Sequence, residues 1–349
     1  MIDKKLSMKE NKRPDVSFVW TITDNVLRDT FKKNEIGDVL LPFIVIRRMD
    51  CILKPYNEDV RATYQKFAKR LEAPQLDPVL RKAANGLKFY NVSSFTLTSL
   101  LDDARNIELN FRNYLNGFNS EVSDILNNYQ FDKVAARLIR NGLLYQMIQE
   151  MSALDLSLEK VDNHDMGYIF EELIRISNEQ SNETAGEHFT PRDVIKLMSS
   201  IMFTPDKEVL NRKGIIRSIY DPTCGTGGMV NLGRNFILDT ICEDDKKKPT
   251  INTYGQELNE QSYAIAKSEA LITGANADNI RLGNTFTHDF FYGNKFHYIM
   301  ANPPFNLKGW YDENLKNDSR WQDYVTPPES NANYAWILHM LSHLRANKG

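Results

Sequence analysis

The residues Asn302-Pro303-Pro304-Phe305 carry the most specific chemistry in this sequence. They follow the apolar run 298–301, so the pattern places them at the exit of a buried strand. Proline fixes its own φ at about −65° and keeps the preceding residue out of the helical region, so Asn302 and Pro303 are held stiffly. The turn could hold a planar amino group on an amide oxygen and a backbone carbonyl, while the ring carrying it stacks on Phe305. The same residues could also form an ordinary strand-end turn.

Three further segments could build a ligand site with this tetrad. The glycine-rich turn 221–228 lets the backbone approach a ligand without β-carbons in the way. Glu257 and Asn284 end the next two strand patterns, where a carboxylate could accept hydrogen bonds from a ribose and an amide could meet an adenine edge. The turn is not a dinucleotide fingerprint, because Val230 occupies the third glycine position, and it is not a phosphate-binding P-loop. Each residue alone is a weak signal, but together they favour a nucleotide-like site.

A parallel α/β sheet is predicted to position these residues. Beyond residue 205, strand patterns at 214–220, 252–257, 279–282 and 296–301 alternate with helical patterns. The candidate residues then lie at the carboxyl ends of strands, where such sheets bind ligands. Helices are predicted at 260–272 and from about Asn333, with a polar loop between 310 and 331. Because an open sheet needs further strands to cover its edge, we expect these residues to be part of a longer polypeptide.

The first part of the chain has a different pattern. Up to about residue 160, apolar residues recur at helical spacing and glycine is sparse, which is typical of a helical packing or interaction module. We therefore predict a helical domain at 1–160 and an incomplete α/β domain at 161–349.

Length and composition limit the class of protein. The 349 residues are enough for two domains, and 26% charged and 42% hydrophobic residues are ordinary for a globular protein. There is no apolar run long enough to span a bilayer and no signal-peptide pattern at the start, so we expect a cytoplasmic protein. Three scattered cysteines do not indicate a disulfide framework or a zinc site. The net charge of −3 suggests that any grip on DNA comes largely from a partner.

The order of these motifs resembles a known family. A glycine-rich Asp-Pro-x-x-Gly-x-Gly turn, a glutamate after the second strand and Asn-Pro-Pro-Phe resemble S-adenosylmethionine-dependent methyltransferases, in the order of N6-adenine DNA methyltransferases. The segment 186–192, Gly-Glu-His-Phe-Thr-Pro-Arg, is similar to the stretch before the glycine turn in the modification (methyltransferase, M) subunit of type I restriction-modification systems. That family also has a helical N-terminal domain, so the resemblance covers the whole chain. It implies a class I Rossmann-like methyltransferase domain, and family members continue beyond the point where this sequence stops.

The resemblance implies a role for each motif residue. Asp221 would hold the turn or reach the cofactor amino group, and Glu257 would bind the ribose. The residues expected to bind S-adenosyl-L-methionine are Glu187, His188, Phe189, Thr190, Pro191, Arg192, Asp221, Gly225, Thr226, Gly227, Gly228, Glu257 and Asn284. The residues expected to be catalytic are Asn302, Pro303, Pro304 and Phe305. No metal is expected.

The chemistry of the tetrad supports an amino-group acceptor. The lone pair of an amine conjugated to a purine is delocalised, so the amine is a poor nucleophile. If the Asn302 amide oxygen and the Pro303 carbonyl accept hydrogen bonds from both N–H groups of the amine, the nitrogen lone pair is directed at the methyl group. An adenine inside a duplex is out of reach, so it must flip out and stack on Phe305.

The implied function is site-specific methylation of adenine N6 in double-stranded DNA. The implied partners are a DNA-specificity (S) subunit and a restriction (R) subunit. Methylation of glutamine N5 in a protein or of RNA, or a cofactor-binding scaffold without activity of its own, are the alternatives.

Overall fold

The computed structural model describes residues 15–181 and 190–346, and the chain divides into two compact units after residue 183. Within those residues, none of the helices combines the length and the apolar character that crossing a membrane would require.

The first unit is helical, as predicted. Its α-helices in the described residues are α1 Ser17–Ile22, α2 Ile36–Leu53, α3 Asn57–Phe67, α4 Ala73–Ala83, α5 Ile107–Asn116, α6 Ser120–Asn128, α7 Phe131–Arg140, α8 Leu144–Ala153 and α9 Asn163–Ser181. Helix α2 is apolar over most of its surface and almost entirely buried, because α7, α8 and α9 pack around it.

The centre of this unit combines aromatic packing with a buried cation. The Phe43 ring lies 5.0 Å from Phe131 and 6.0 Å from Phe111, measured between centroids. Arg48 is fully buried, and its guanidinium donates to the carbonyls of Leu156 and Val161 at 2.6 Å each. These bonds attach the segment that precedes α9 to the central helix.

The second unit is an α/β domain with a parallel sheet, which confirms the predicted fold class. The helices are α10 Arg192–Phe203, α11 Lys207–Leu210, α12 Gly228–Phe236, α13 Glu260–Ile272 and α14 Asn333–His343. The strands are β1 Ile216–Asp221, β2 Thr250–Glu257, β3 Ile280–Leu282 and β4 Tyr298–Ile299. They are ordered β3-β2-β1-β4, and every neighbouring pair is parallel. In the register, Ile219 of β1 lies between Thr253 of β2 and Tyr298 of β4.

The strand expected at 296–301 is shorter in the structure. Only Tyr298 and Ile299 pair with β1. Phe296 pairs instead with Leu344, just after α14, through hydrogen bonds from Phe296 N to His343 O and from Arg345 N to Phe296 O. The two prolines that follow Asn302 cannot donate ladder hydrogen bonds, which ends the strand on the other side.

The core of the α/β unit joins the elements that flank the site. Ile195 and Phe203 of α10, Val230 of α12 and Ile219 of β1 form one buried cluster with Met300. Helix α10 is thereby fixed relative to the end of β4.

The segment between β4 and α14 has a core of its own, although we expected a polar loop there. Trp310, Leu315 and Trp321 are buried in it, in contact with Phe286 and Trp336. The segment closes where Ala332 N donates to Leu307 O at 3.0 Å. It is therefore a compact excursion that returns the chain to the exit of β4.

Candidate active site

The sheet brings the ends of its strands to one edge. Because all four strands are parallel, Asp221, Glu257, Asn284 and Asn302 lie at or just beyond carboxyl ends on the same side. The strand order reverses between β1 and β4, since β2 and β3 lie on one side of β1 and β4 lies on the other. Such a switch point leaves a crevice in which open α/β sheets bind ligands. The glycine turn and the tetrad border this crevice.

The glycine turn after β1 requires glycine at two positions. Gly225 has φ 53° and Gly227 has φ 83°, in the left-handed region that disfavours other residues. A β-carbon on Gly227 would come within 3.3 Å of Ala266 in α13, whereas one on Gly225 would meet nothing within 4 Å. The turn thus packs closely against α13 at Gly227 and leaves open space at Gly225. Thr226 is buried between them, and Gly228 begins α12, so the helix N-terminus points its N–H groups at this edge.

Glu257 ties the end of β2 to the glycine turn. Its Oε2 accepts from Gly225 N at 2.8 Å and its Oε1 accepts from Asn259 N at 2.8 Å. The carboxylate therefore holds the turn in shape. A carboxylate offers about four acceptor positions, so these bonds are compatible with hydrogen bonds to the hydroxyls of a ligand.

Asp221 is a buried carboxyl at the end of β1. It is 2% exposed, and its Oδ1 accepts from Thr223 N at 2.9 Å. Burial raises the pKa of this carboxyl from 3.8 to about 7, and the nearby charge of Glu257 adds to the rise. A positively charged ligand group beside Asp221 would favour the ionised form.

Asn284 shapes the loop after β3. Its Oδ1 accepts from Phe286 N at 2.9 Å and from Thr287 N at 3.2 Å, so the amide oxygen caps its own turn. The next residue, Thr285, is buried and donates to Pro222 O at 2.6 Å. The loop after β3 is thereby joined to the glycine turn. Because the amide oxygen of Asn284 is used within the loop, any contact of Asn284 with a ligand would use its amide nitrogen.

The tetrad lies on the surface of this edge. Asn302 is exposed, Pro303 and Pro304 are partly buried, and Phe305 is 82% exposed, which excludes a role for Phe305 in the core. Asn306 follows with φ 56° and forms a reciprocal pair of hydrogen bonds with Asn333 at the start of α14. The tetrad is therefore anchored on both sides and presents an aromatic face to solvent.

The segment expected to lie over the cofactor is described only in part. Glu187, His188 and Phe189 lie outside the described residues. Thr190 and Pro191 precede α10, and Arg192 is its first residue. Asn302 Nδ2 donates to Thr190 Oγ1 at 3.0 Å, which brings this segment to the tetrad.

Sequence reasoning missed two groups of buried polar residues behind the site. Gln256 is fully buried, and its Nε2 donates to the carbonyls of Gly283 and His288, at 3.2 and 2.8 Å. This side chain supports the loop that carries Asn284. A glutamine inside an apolar strand pattern was the available signal.

The second group contains Asp289, His339 and His343, whose potential ligand atoms lie within 4.8 Å of one another. His339 accepts from Arg320 Nη1 at 3.1 Å and contacts the Tyr220 hydroxyl at 3.1 Å, and burial lowers its pKa to about 3. His343 lies 2.9 Å from Asp289 Oδ2. The cluster forms a hydrogen-bonded network behind β1. It is poorly suited to binding a cation, because the Arg320 guanidinium contacts the His339 ring.

The fold and the order of these strand ends define a class I methyltransferase domain. The sequence model of the family described as N-6 DNA Methylase matches residues 161–349, and that of the HsdM N-terminal domain matches residues 16–151. The chain belongs to the N-6 DNA methylase family. We expect the domain boundary at residue 160, and this boundary stays a prediction. Helix α9, which follows residue 160, packs against α2 in the first compact unit.

Curated relatives agree with this family. The chain is 30% identical over 183 residues to the type I restriction enzyme HindI methylase subunit of Haemophilus influenzae, covering 52% of this chain and 38% of that protein. It is 31% identical over 209 residues to the MjaIX methylase subunit of Methanocaldococcus jannaschii, covering 58% of this chain and 34% of that protein. The chain thus matches little more than a third of the length of these relatives.

A solved structure shares the fold. The crystal structure of the type I restriction-modification system methyltransferase subunit from Streptococcus thermophilus superposes with a TM-score of 0.69 at 20% identity. The match covers 95% of this chain and 72% of that one. Both the helical unit and the α/β unit therefore have counterparts in that protein.

Proposed function

We propose that this chain is the modification subunit of a type I restriction-modification complex, or the part of it that carries the methyltransferase domain. It would methylate adenine N6 in double-stranded DNA in the cytoplasm. The observation that carries this proposal is the position of Asn302 to Phe305. The tetrad lies at the exit of β4, across the switch point from the glycine turn that follows β1.

The glycine-turn side of the crevice fits S-adenosylmethionine, which supplies an electrophilic methyl group when bound. The open space at Gly225 admits a ligand against the backbone. The buried Asp221 matches a cationic group, and Glu257 at the end of β2 matches ribose hydroxyls. Asn284 would contribute to the adenine end. In the described part of segment 187–192, Thr190 accepts a hydrogen bond from Asn302, which places this part beside the tetrad.

The tetrad would hold the substrate amine. Asn302 Oδ1 and the Pro303 carbonyl would accept hydrogen bonds from the two N–H groups of the amine. This localises the nitrogen lone pair and directs it at the methyl group. The cofactor would supply the methyl group and leave as the neutral thioether, while Asn302 and Pro303 would hold the amine nitrogen in line with it. The methylated nitrogen would then release one proton to solvent. Fixed dipoles that face the developing positive charge need no reorganisation during transfer.

Phe305 would stack on the flipped base. A phenylalanine that is 82% exposed leaves a large apolar surface in water, which a flat base can cover. Removing the base from the duplex costs a few kcal/mol, and stacking offsets part of that cost.

Partners would supply sequence recognition. The net charge of −3 suits a subunit whose DNA affinity comes partly from another chain. We propose that a specificity subunit provides this contact and that a restriction subunit joins the same complex.

Transfer of a labelled methyl group tests the function. The chain, with and without a specificity subunit, is incubated with radiolabelled S-adenosylmethionine and plasmid DNA, RNA or protein. We expect label in DNA, with the highest rate when the specificity subunit is present. Label found only in protein or RNA would contradict the DNA assignment, and cofactor binding without transfer to any acceptor would support a scaffold.

A further inference from the structure

A single hydrogen bond links the tetrad to the segment before α10. Asn302 Nδ2 donates to Thr190 Oγ1 at 3.0 Å, across 112 positions of sequence. Asn302 is exposed, so packing does little to fix its side chain. The threonine contact is therefore a principal restraint on the orientation of this amide.

Orientation of the amide decides what the tetrad can bind. Rotating an asparagine amide by half a turn exchanges its oxygen acceptor for its two N–H donors. With Nδ2 turned to Thr190, Oδ1 is available to accept from a substrate amine. In the opposite orientation, the threonine hydroxyl could donate to Oδ1 instead, but N–H donors would then face the N–H groups of the amine, and the hydrogen bond to the substrate would be lost.

The backbone at Thr190 leads directly into a helix that packs in the core. Helix α10 begins two residues later and buries Ile195 and Phe203 in the core cluster that also contains Tyr298 and Met300. The Phe203 and Tyr298 rings meet edge to face at 5.0 Å between centroids. Thr190 and Asn302 therefore extend from two elements that share one core, so their separation is fixed by packing.

We propose that Thr190 is a positioning residue that holds the Asn302 amide with its oxygen toward the substrate amine. This inference rests on the proposed function and deepens it. It gives Thr190 a role on the substrate side of the crevice, whereas the resemblance of its segment implies contact with the cofactor. The threonine hydroxyl touches neither reacting atom and acts through Asn302.

Two substitutions at this position separate the roles. Thr190→Val keeps the shape of the side chain and removes the acceptor, whereas Thr190→Ser keeps the hydroxyl. Loss of one neutral hydrogen bond corresponds to roughly a tenfold fall in rate. We expect Thr190→Val to lower the single-turnover rate of methyl transfer by about that factor, with unchanged affinity for S-adenosylmethionine. Thr190→Ser should recover most of the rate.

Thr250→Val is the matched control, because Thr250 is an exposed threonine at the start of β2, on the opposite edge of the sheet. It should leave both the rate and the affinity unchanged. Thermal melting of all three variants shows whether they fold.

A spectroscopic measurement does not depend on activity. In the ¹⁵N-labelled protein, the side-chain amide signals of Asn302 are identified by their absence in Asn302→Ala. They should move in Thr190→Val and stay in place in Thr250→Val.

The inference is overturned if Thr190→Val keeps the wild-type transfer rate, or loses cofactor affinity in proportion to its rate. It is also overturned if the Asn302 amide signals do not respond, or if Thr190→Ser is as slow as Thr190→Val. A wild-type chain that transfers no methyl group to DNA refutes the proposed function instead, and the amide signals then still test the contact between Thr190 and Asn302.

Discussion

Replacing Asp221 with asparagine should make the protein more stable and weaken its affinity for the cofactor. Asp221 is 2% exposed at the end of β1, and its pKa is raised from 3.8 to about 7, chiefly by burial. Asparagine keeps an oxygen that can accept from Thr223 N and removes the ionisable group. We expect the buried wild-type carboxyl to cost stability and to serve in binding a cationic ligand group, so its replacement should raise stability and lower affinity.

The sign and size follow from proton linkage. The folded state keeps the proton of Asp221 up to about pH 7, whereas the unfolded chain releases it near pH 3.8. Its contribution to stability is fully present below pH 3.8 and is lost as the pH rises through 7. The rise of the Asp221 pKa from 3.8 to about 7 amounts to about 4 kcal/mol in total, of which about 2.5 kcal/mol falls between pH 5 and pH 8.

Chemical denaturation at a series of pH values measures this change. Three of the four tryptophans, Trp310, Trp321 and Trp336, lie in the α/β unit, so fluorescence follows its unfolding. The advantage of Asp221→Asn over wild type should grow by about 2.5 kcal/mol from pH 5 to pH 8. Asp278→Asn, at an exposed position, is the control. Parallel pH profiles for wild type and Asp221→Asn would refute the reasoning.

Cofactor affinity provides the second half of this prediction. An ionised Asp221 would attract a positively charged group of S-adenosylmethionine, so wild-type affinity for the cofactor should rise as the pH increases through about 7. Calorimetric titration should show that rise in the wild type and not in Asp221→Asn. If the affinity for S-adenosylmethionine had the same pH dependence in both proteins, the positively charged group of the cofactor would not lie beside Asp221.

Three other substitutions have distinct expected results. Asn302→Ala should lower methyl transfer roughly 100-fold or more while leaving calorimetric affinity for the cofactor unchanged, because the acceptor acts on the substrate amine. Lost cofactor affinity with a normal rate would contradict that role. Glu257→Ala should weaken cofactor binding roughly 10- to 100-fold, since it removes the bond to Gly225 N and the proposed acceptor for the ribose. An unchanged dissociation constant would count against the ribose role. Phe305→Ala should change the free energy of unfolding by less than about 0.5 kcal/mol, because the ring is 82% exposed, yet slow transfer to duplex DNA. Equal rates for both proteins would exclude stacking on Phe305.

Features controlled by local sequence were predictable. Helix α13 spans Glu260–Ile272 as expected, and Asn259 caps it by accepting from Ser262 N at 2.9 Å. The start of α14 at Asn333 was also predicted correctly. The parallel sheet followed from the alternation of strands and helices, because parallel neighbours need a crossover between them.

Features that depend on long-range pairing were not predictable. Phe296 was expected to extend β4, but its backbone bonds to His343 and Arg345, nearly fifty positions away. The hydrogen bond from Asn302 to Thr190 likewise joins segments that are distant in sequence. The burial of Gln256 also depends on residues that are distant in sequence. Periodicity and motifs report a residue's neighbours along the chain and carry no information on such partners.

The candidate site was predicted as a set of strand ends, and the structure adds how these ends are connected. Glu257 was expected to face a ribose, and it also braces the glycine turn through Gly225 N. Asn284 was expected near an adenine, and its amide oxygen caps its own loop. These hydrogen bonds hold the glycine turn and the loop after β3 in place. The ligand roles of Glu257 and Asn284 stay predictions.

The identity of the methylated atom tests the central claim most directly. DNA treated with the chain, the proposed specificity subunit and S-adenosylmethionine carrying a deuterated methyl group is digested to nucleosides and analysed by mass spectrometry. We expect deuterated N6-methyldeoxyadenosine in the wild-type reaction and roughly 100-fold less of it with Asn302→Ala. Deuterium in deoxycytidine, or in protein with none in DNA, would contradict this assignment.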